Sequence, residues 1–136
     1  MLELRGITKS YGGRRVLDDV SFTVAPGRLT GFVGGNGAGK TTTMRIVLGV
    51  LSDDGGTVSL DGRPLTSADR RRFGYMPEER GLYPKMKVLE QIVYLARLHG
   101  YSKAEAESEA TALLEKLGLG ERLGDNVETL SLGNQQ

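Results

Sequence analysis

The clearest chemistry in the chain lies in nine consecutive residues, Gly34, Gly35, Asn36, Gly37, Ala38, Gly39, Lys40, Thr41 and Thr42. Gly34, Gly39, Lys40 and Thr41 fit the spacing G-x-x-x-x-G-K-[ST] of a loop that cradles phosphates. Glycines let the backbone adopt unusual conformations and bring its N–H groups close to phosphate oxygens. Lys40 supplies a point charge to the β- and γ-phosphates, and the Thr41 hydroxyl can enter the shell of a Mg²⁺ ion. A helix beginning here aims the positive end of its dipole at the anion. The chemistry implied is the holding of a nucleoside triphosphate with its Mg²⁺.

Such a loop needs a strand before it and a helix after it. Leu29-Thr30-Gly31-Phe32-Val33 reads as a buried strand. Thr42 to Val50, with Met44, Ile46, Val47, Leu48 and Val50, reads as a buried helix. Upstream, Leu2, Leu4 and Ile7 open a strand-like segment, Gly12-Gly13 makes a turn, and Val16-Leu17, Val20, Phe22 and Val24 follow, with Phe22 and Val24 alternating against Ser21 and Thr23 like a half-buried strand. Downstream, Thr57 to Leu60 reads as a strand closed by the hairpin pair Asp61-Gly62. Ser67 to Arg72 reads as a short helix whose run Arg70-Arg71-Arg72 is expected to be a solvated face. Phe73 to Met76 reads as a further short strand stopped by Pro77.

From Val88 the pattern becomes helical. Val88, Ile92, Leu95 and Leu98 recur at helical spacing until Gly100. Ser102 and Glu105 fit a capping box for the next helix, whose stripe is Ala106, Ala110, Leu113, Leu114 and Leu117, with Gly118 as its stop. The expected organisation is an α/β part over 1–85 and a helical part over 86–136.

Charge and composition narrow the partners. Eighteen basic and 17 acidic residues leave a net charge of +1, so no nucleic-acid partner is expected. There are no cysteines, which excludes disulfides and thiolate metal sites. No apolar run approaches the ~20 residues that span a bilayer. A soluble, intracellular protein is expected.

The stretch Leu130-Ser131-Leu132-Gly133-Asn134-Gln135-Gln136 resembles the LSGGQ signature of ATP-binding cassette (ABC) ATPases. It departs at Leu132, where Gly is usual, and at Asn134, where Gln is usual. In order after a phosphate loop and a helical segment, it makes the whole chain similar to an ABC ATPase domain. The resemblance implies several roles. Tyr11 looks like the aromatic residue that stacks on adenine. Ser131, Gly133, Asn134 and Gln135 would meet the nucleotide of a second subunit. The segment Tyr75 to Pro84 takes the place of the Q-loop, with Glu78 where Gln is usual. Glu78 can still ligate Mg²⁺, but an ionised carboxylate donates no hydrogen bond. It is the one catalytic candidate, and Thr41 and Glu78 are the metal candidates. The wording of that segment is similar to the branch of sodium and drug exporters.

The implied function is that of the nucleotide-binding subunit of a transporter, an exporter by its wording, which couples ATP binding and hydrolysis in a head-to-tail dimer to movement of separate membrane subunits; the full-length relative would be an ATP hydrolase. The implied location is the cytoplasmic face of the membrane, held there by those subunits. The alternatives are a non-transport ABC ATPase and a catalytically silent nucleotide-binding or assembly module.

The family pattern continues past the signature with a Walker B aspartate, a catalytic glutamate, a D-loop and a switch histidine. None of these lies within the 136 residues, and His99, the only histidine, stands upstream in a predicted helix. The expected fold is therefore an incomplete P-loop NTPase of the ABC type, without its later parallel strands. It is expected to bind ATP and, alone, to turn it over little. Leu29 to Val33 is expected to expose unpaired backbone and apolar faces. Ser131 is expected to lack the dipole of a following helix. The stretch is expected to be a piece of a longer polypeptide or to be completed by another chain, with poor solubility or swapped oligomers if the polypeptide ends at Gln136.

Overall fold

The computed structural model describes residues 1–76 and 81–136. They form two compact units, Met1–Gly74 and Tyr75–Gln136. The first is built on a four-stranded antiparallel sheet. Strands β1 (Leu2–Tyr11) and β2 (Arg14–Val24) form a hairpin around Gly12-Gly13, and β3 (Gly55–Leu60) and β4 (Arg63–Pro64) form a second one around Asp61-Gly62. The strand order is β2-β1-β3-β4. Helices α1 (Lys40–Val47) and α2 (Ser67–Arg70) complete this unit.

Leu4 and Ile7 are three residues apart, a spacing that puts two side chains on opposite faces of a regular strand. Both are nonetheless buried, because the register of β1 against β2 shifts between them. The irregularity restores the inward direction of the second residue. Leu4 and Ile7 then pack with Leu17, Ile46, Val47 and Leu65 in one core.

Helix α1 ends earlier than the apolar pattern indicates. Gly49 takes a φ of 74°, and the Gly49 and Val50 N–H groups donate to Ile46 O and Arg45 O, both at 3.0 Å. This paired closure leaves Val50 exposed. A further donor comes from Arg70, whose Nε gives a 3.0 Å hydrogen bond to Val47 O. The arginine run is thus divided: Arg71 and Arg72 are solvated, while Arg70 closes the end of α1.

Leu29 to Val33 is not a strand, contrary to expectation. None of the described residues pairs with it, and Leu29 and Val33 lie open to solvent. Its anchor is Phe32, whose ring lies 5.0 Å from that of Phe22 on β2. An apolar pentapeptide can form a strand only where another strand pairs with it, and none of β1 to β4 does: β2 pairs with β1, β1 with β3 and β3 with β4. Phe73 to Met76 is also irregular, with Tyr75 and Met76 exposed. Pro77, which ends that predicted strand, lies outside the described residues.

The second unit holds α3 (Val88–Leu98), α4 (Lys103–Lys116) and a terminal turn of helix, α5 (Leu132–Gln135). Ser102 caps α4 as the sequence indicates: its hydroxyl accepts from Glu105 N, and Glu105 accepts from Ser102 N. Helices α3 and α4 close at Gly100 and Gly118 with the same bond pair seen at Gly49. Val88, Leu114, Leu119, Val127 and Leu130 form the core. The predicted stripes are only partly buried. Leu95, Leu98, Leu113 and Leu117 are exposed, and Gln91 is buried instead, its Oε1 accepting from Tyr83 N at 3.0 Å. The two helices pack over one shared face, so apolar residues to either side of it stay in water.

Helix α2 is four residues long and cannot hold itself. Asp69 makes it possible. Its carboxylate takes two 2.7 Å hydrogen bonds from Arg63 and further ones from the Thr66 hydroxyl and N–H, while Thr66 caps the helix in return. Arg63, first, and Thr66, second, hold the Asp69 carboxyl well below the usual aspartate range. Its stabilising contribution is therefore complete above the ordinary value of 3.8 and is lost as pH falls below it. Asp69→Asn should lower Tm near neutral pH, and the gap to the wild type should narrow progressively below about pH 4. Thermal melts across that range check this, and a gap that does not narrow in acid would contradict it.

Candidate nucleotide-binding site

The loop of Gly34 to Thr42 connects the Phe32 anchor to α1. Gly39 is its fixed point. Gly39 caps α1 with a φ of 86°, in the left-handed region. A Cβ there would fall 2.3 Å from Leu17 Cδ2 and 3.1 Å from the Val16 carbonyl oxygen. Gly39 is thus pressed directly onto β2, and both backbone shape and space require glycine. Its carbonyl accepts two hydrogen bonds, from Thr43 N at 2.8 Å and from the Thr43 hydroxyl at 2.9 Å. Thr43 is fully buried. The sequence reading missed Leu17 and Thr43. The i, i+4 spacing of Gly39 and Thr43 was the available signal for the second, since a helical threonine can bond the carbonyl one turn back.

The rest of the loop curls over this point. Lys40 Nζ donates to Gly34 O at 2.6 Å and to Gly35 O at 2.8 Å, and Ala38 N donates to Gly35 O at 3.2 Å. Gly34 approaches Ala38 so closely that a Cβ on it would stand 3.2 Å from that of Ala38. Asn36 and Gly37 form the exposed tip, Thr41 faces solvent, and Thr42 is half-buried.

This geometry fits an anionic ligand and its metal. The cap of α1 has no side-chain hydrogen bond and its first turn holds no acidic residue. No side-chain acceptor therefore competes for the first backbone N–H groups of the helix. Among the described residues no cluster of three His, Cys, Asp or Glu groups could hold a metal. The Thr41 hydroxyl is the group of the loop that could hold a Mg²⁺ ion brought by phosphate oxygens, since Mg²⁺ prefers few protein ligands. Glu78, the other metal and catalytic candidate, lies outside the described residues.

Tyr11 stands at the end of β1, half exposed, and pairs with Arg14 on β2. Val16 and Leu17, the residues beneath Gly39, follow on the same strand. Arg14 and Leu17 are about 10 Å apart along it. One hairpin therefore carries both the aromatic candidate and the seat of the phosphate loop.

The signature residues belong to the second unit. Ser131 caps α5, its hydroxyl accepting from Asn134 N at 3.3 Å. This corrects the expectation that Ser131 lacks a helix: one turn begins inside the signature itself, because the serine side chain satisfies a backbone donor there. Gly133 and Asn134 are exposed. Gln135 turns inward, its Nε2 donating to Val127 O at 3.1 Å and Leu130 O at 2.9 Å. His99 sits at the end of α3, its Nδ1 3.4 Å from Leu95 O.

A glycine-capped phosphate loop leading into a helix over a β-sheet defines an α/β protein of the P-loop NTPase class. The family described as ABC transporter matches residues 17–136, and the chain belongs to that family. It is 46% identical to the uncharacterized ABC transporter ATP-binding protein YhaQ of Bacillus subtilis (strain 168), across 100% of this chain and 46% of that protein. It is 38% identical to the Nod factor export ATP-binding protein I of Paraburkholderia xenovorans (strain LB400), across 97% of this chain and 44% of that protein. A solved structure of the ATP binding subunit of an ABC transporter superposes with a TM-score of 0.77 at 34% identity, covering 99% of this chain and 58% of the other. The chain spans about half the length of the curated relatives it matches. Members of the family bind ATP, generally with Mg²⁺, and work with membrane subunits. Among the described residues no helix is long and apolar enough to cross a membrane.

Gly39→Ala should destabilise the fold by more than about 1 kcal/mol, since it adds both backbone strain and overlap with Leu17. Adding Leu17→Ala should relieve the overlap and leave the strain, so the double variant should not cost the sum of the two single ones. Chemical denaturation of the four proteins measures this, and simple additivity would contradict the contact.

Proposed function

We propose that this chain binds MgATP as part of the nucleotide-binding subunit of an ABC transporter. The observation that carries the reading is the hairpin that supports the phosphate loop at Leu17 and ends in Tyr11. In this reading Gly34 to Gly39 cradle the phosphates with backbone N–H groups, and Lys40 leaves the Gly34 and Gly35 carbonyls for the β- and γ-phosphates. Thr41 and Thr42 complete the loop, with Thr41 toward Mg²⁺, and Tyr11 stacks on adenine. Ser131, Gly133, Asn134 and Gln135 serve the nucleotide of a second subunit in a head-to-tail dimer. Glu78 contributes to orienting water and holding the metal.

The dimer moves separate membrane subunits, which hold it at the cytoplasmic face. Export is the direction we favour, on the wording of residues 75–84 and on the relative named for Nod factor export; relatives named for import match as well. The two functional parts within the chain are an ATP-binding part over 1–85 and a helical part over 86–136. Taken alone, these 136 residues are expected to bind ATP with little turnover. Hydrolysis also needs a group that orients water, and Glu78 is a carboxylate where the family has an amide. Robust Mg²⁺-dependent phosphate release by them would overturn that.

Lys40→Ala removes a cation whose charged hydrogen bonds are worth about 1.5–3 kcal/mol, so MgATP affinity should fall about tenfold or more. Tyr11→Ala should lower it by about 1–3 kcal/mol, the worth of one stacked base. Calorimetric titration of both variants tests the reading. Unchanged affinity in both would remove it.

A further inference from the structure

The turn after α1 reaches back to the end of β1, where Tyr11 stands. Asp54, in that turn, contacts three successive residues of β1. Its N–H donates to Thr8 O at 2.9 Å. One carboxylate oxygen accepts from Lys9 Nζ at 2.6 Å, and the other accepts from Ser10 N at 2.7 Å. The end of β1 needs such a partner. Its pairing with β3 stops at Thr8 opposite Gly55, and its register against β2 slips between Lys9 and Ser10. Beyond Thr8 the Asp54 carboxylate supplies the acceptor that a neighbouring strand would otherwise offer.

The same carboxylate decides where Lys9 goes. The Lys9 side chain is only 13% exposed, unusual for a lysine near a hairpin end. The Lys9 ammonium lies over the Tyr11 ring, 5.7 Å from its centroid. A cation on one face of an aromatic ring is attracted to its negative π-surface and restricts how the ring turns. Tyr11 keeps half of its surface exposed.

We propose that Asp54 is a positioning residue for adenine recognition, anchoring the end of β1 and holding Lys9 against one face of Tyr11 so that the other face meets the base. The proposal rests on the reading of Tyr11 as the adenine platform. Hydrogen bonds from Lys9 and then from Ser10 also hold the Asp54 carboxyl below its ordinary range, so the anchor stays ionised near neutral pH.

A merely structural role would weaken every ligand alike, whereas a role through Tyr11 concerns only the base. Asp54→Ala, Asp54→Asn and Lys9→Met should therefore be titrated with MgATP and with magnesium tripolyphosphate, which has the phosphates and no base. Asp54→Ala should weaken MgATP by about 3- to 10-fold and leave tripolyphosphate within about twofold. Lys9→Met should weaken MgATP by about 2- to 5-fold. Asp54→Asn keeps an acceptor for Ser10 N and loses the charge under Lys9, so it should fall between wild type and Asp54→Ala. In a Tyr11→Ala background, Asp54→Ala should have no further effect on MgATP. Equal losses for the two ligands, or the full loss in the Tyr11→Ala background, would overturn the proposal while leaving ATP binding in place. A wild type that binds neither ligand would remove the nucleotide reading and this proposal together.

Discussion

The contact between Gly39 and β2 is the constraint on which the rest of the first unit depends. The loop backbone comes so near Leu17 and Val16 that nothing larger than hydrogen fits between them. That closeness sets the point at which α1 begins, because Gly39 is its cap, and Thr43 then locks the first turn to the same carbonyl. It also joins the loop to the core, since Leu17 packs with Leu4, Ile7, Ile46 and Val47. A phosphate cradle must hold its backbone donors in place before a ligand arrives. Here the holding is done by packing beneath the loop and by the Lys40 ammonium across it.

The ends of α1 and β1 are both finished by residues distant in sequence. Arg70 closes α1 from the far side of the β3–β4 hairpin, and Asp69 beside it keeps α2 folded through Arg63 and Thr66. Asp54 finishes β1. In each case a charged side chain satisfies backbone or side-chain groups that regular secondary structure leaves unpaired. Most of these side chains remain partly hydrated, so ionisation costs little while the charge-assisted bonds keep their strength.

The second unit follows a simpler logic. Two amphipathic helices share one face, and the segment 119–135 packs against that pair through Leu119, Val127 and Leu130. Gln91 is the polar residue inside it, and its bond to Tyr83 N ties the start of the described segment to α3. Gln135 does the same for the signature by reaching the Val127 and Leu130 carbonyls. The signature is thus held by its own backbone, with Ser131, Gly133 and Asn134 left facing outward.

Features governed by neighbours along the chain were legible from residue order alone. The phosphate loop, the capping box of Ser102 and Glu105, the stops at Gly100 and Gly118, and the hairpin at Asp61-Gly62 all follow from local backbone rules, and the signature carried the family. Features governed by which surfaces meet were not. Leu29 to Val33 has the composition of a strand, but a strand exists only where a partner offers hydrogen bonds. Leu95, Leu98, Leu113 and Leu117 have helical spacing, but α3 and α4 cover only one face of each other. Leu17, Arg70 and Asp54 look like ordinary residues until the fold sets them beside Gly39, Val47 and the end of β1. Local sequence determined where helices start and stop and which family the chain belongs to; tertiary structure decided what holds the loop and the tyrosine in place, because those contacts join residues more than twenty positions apart.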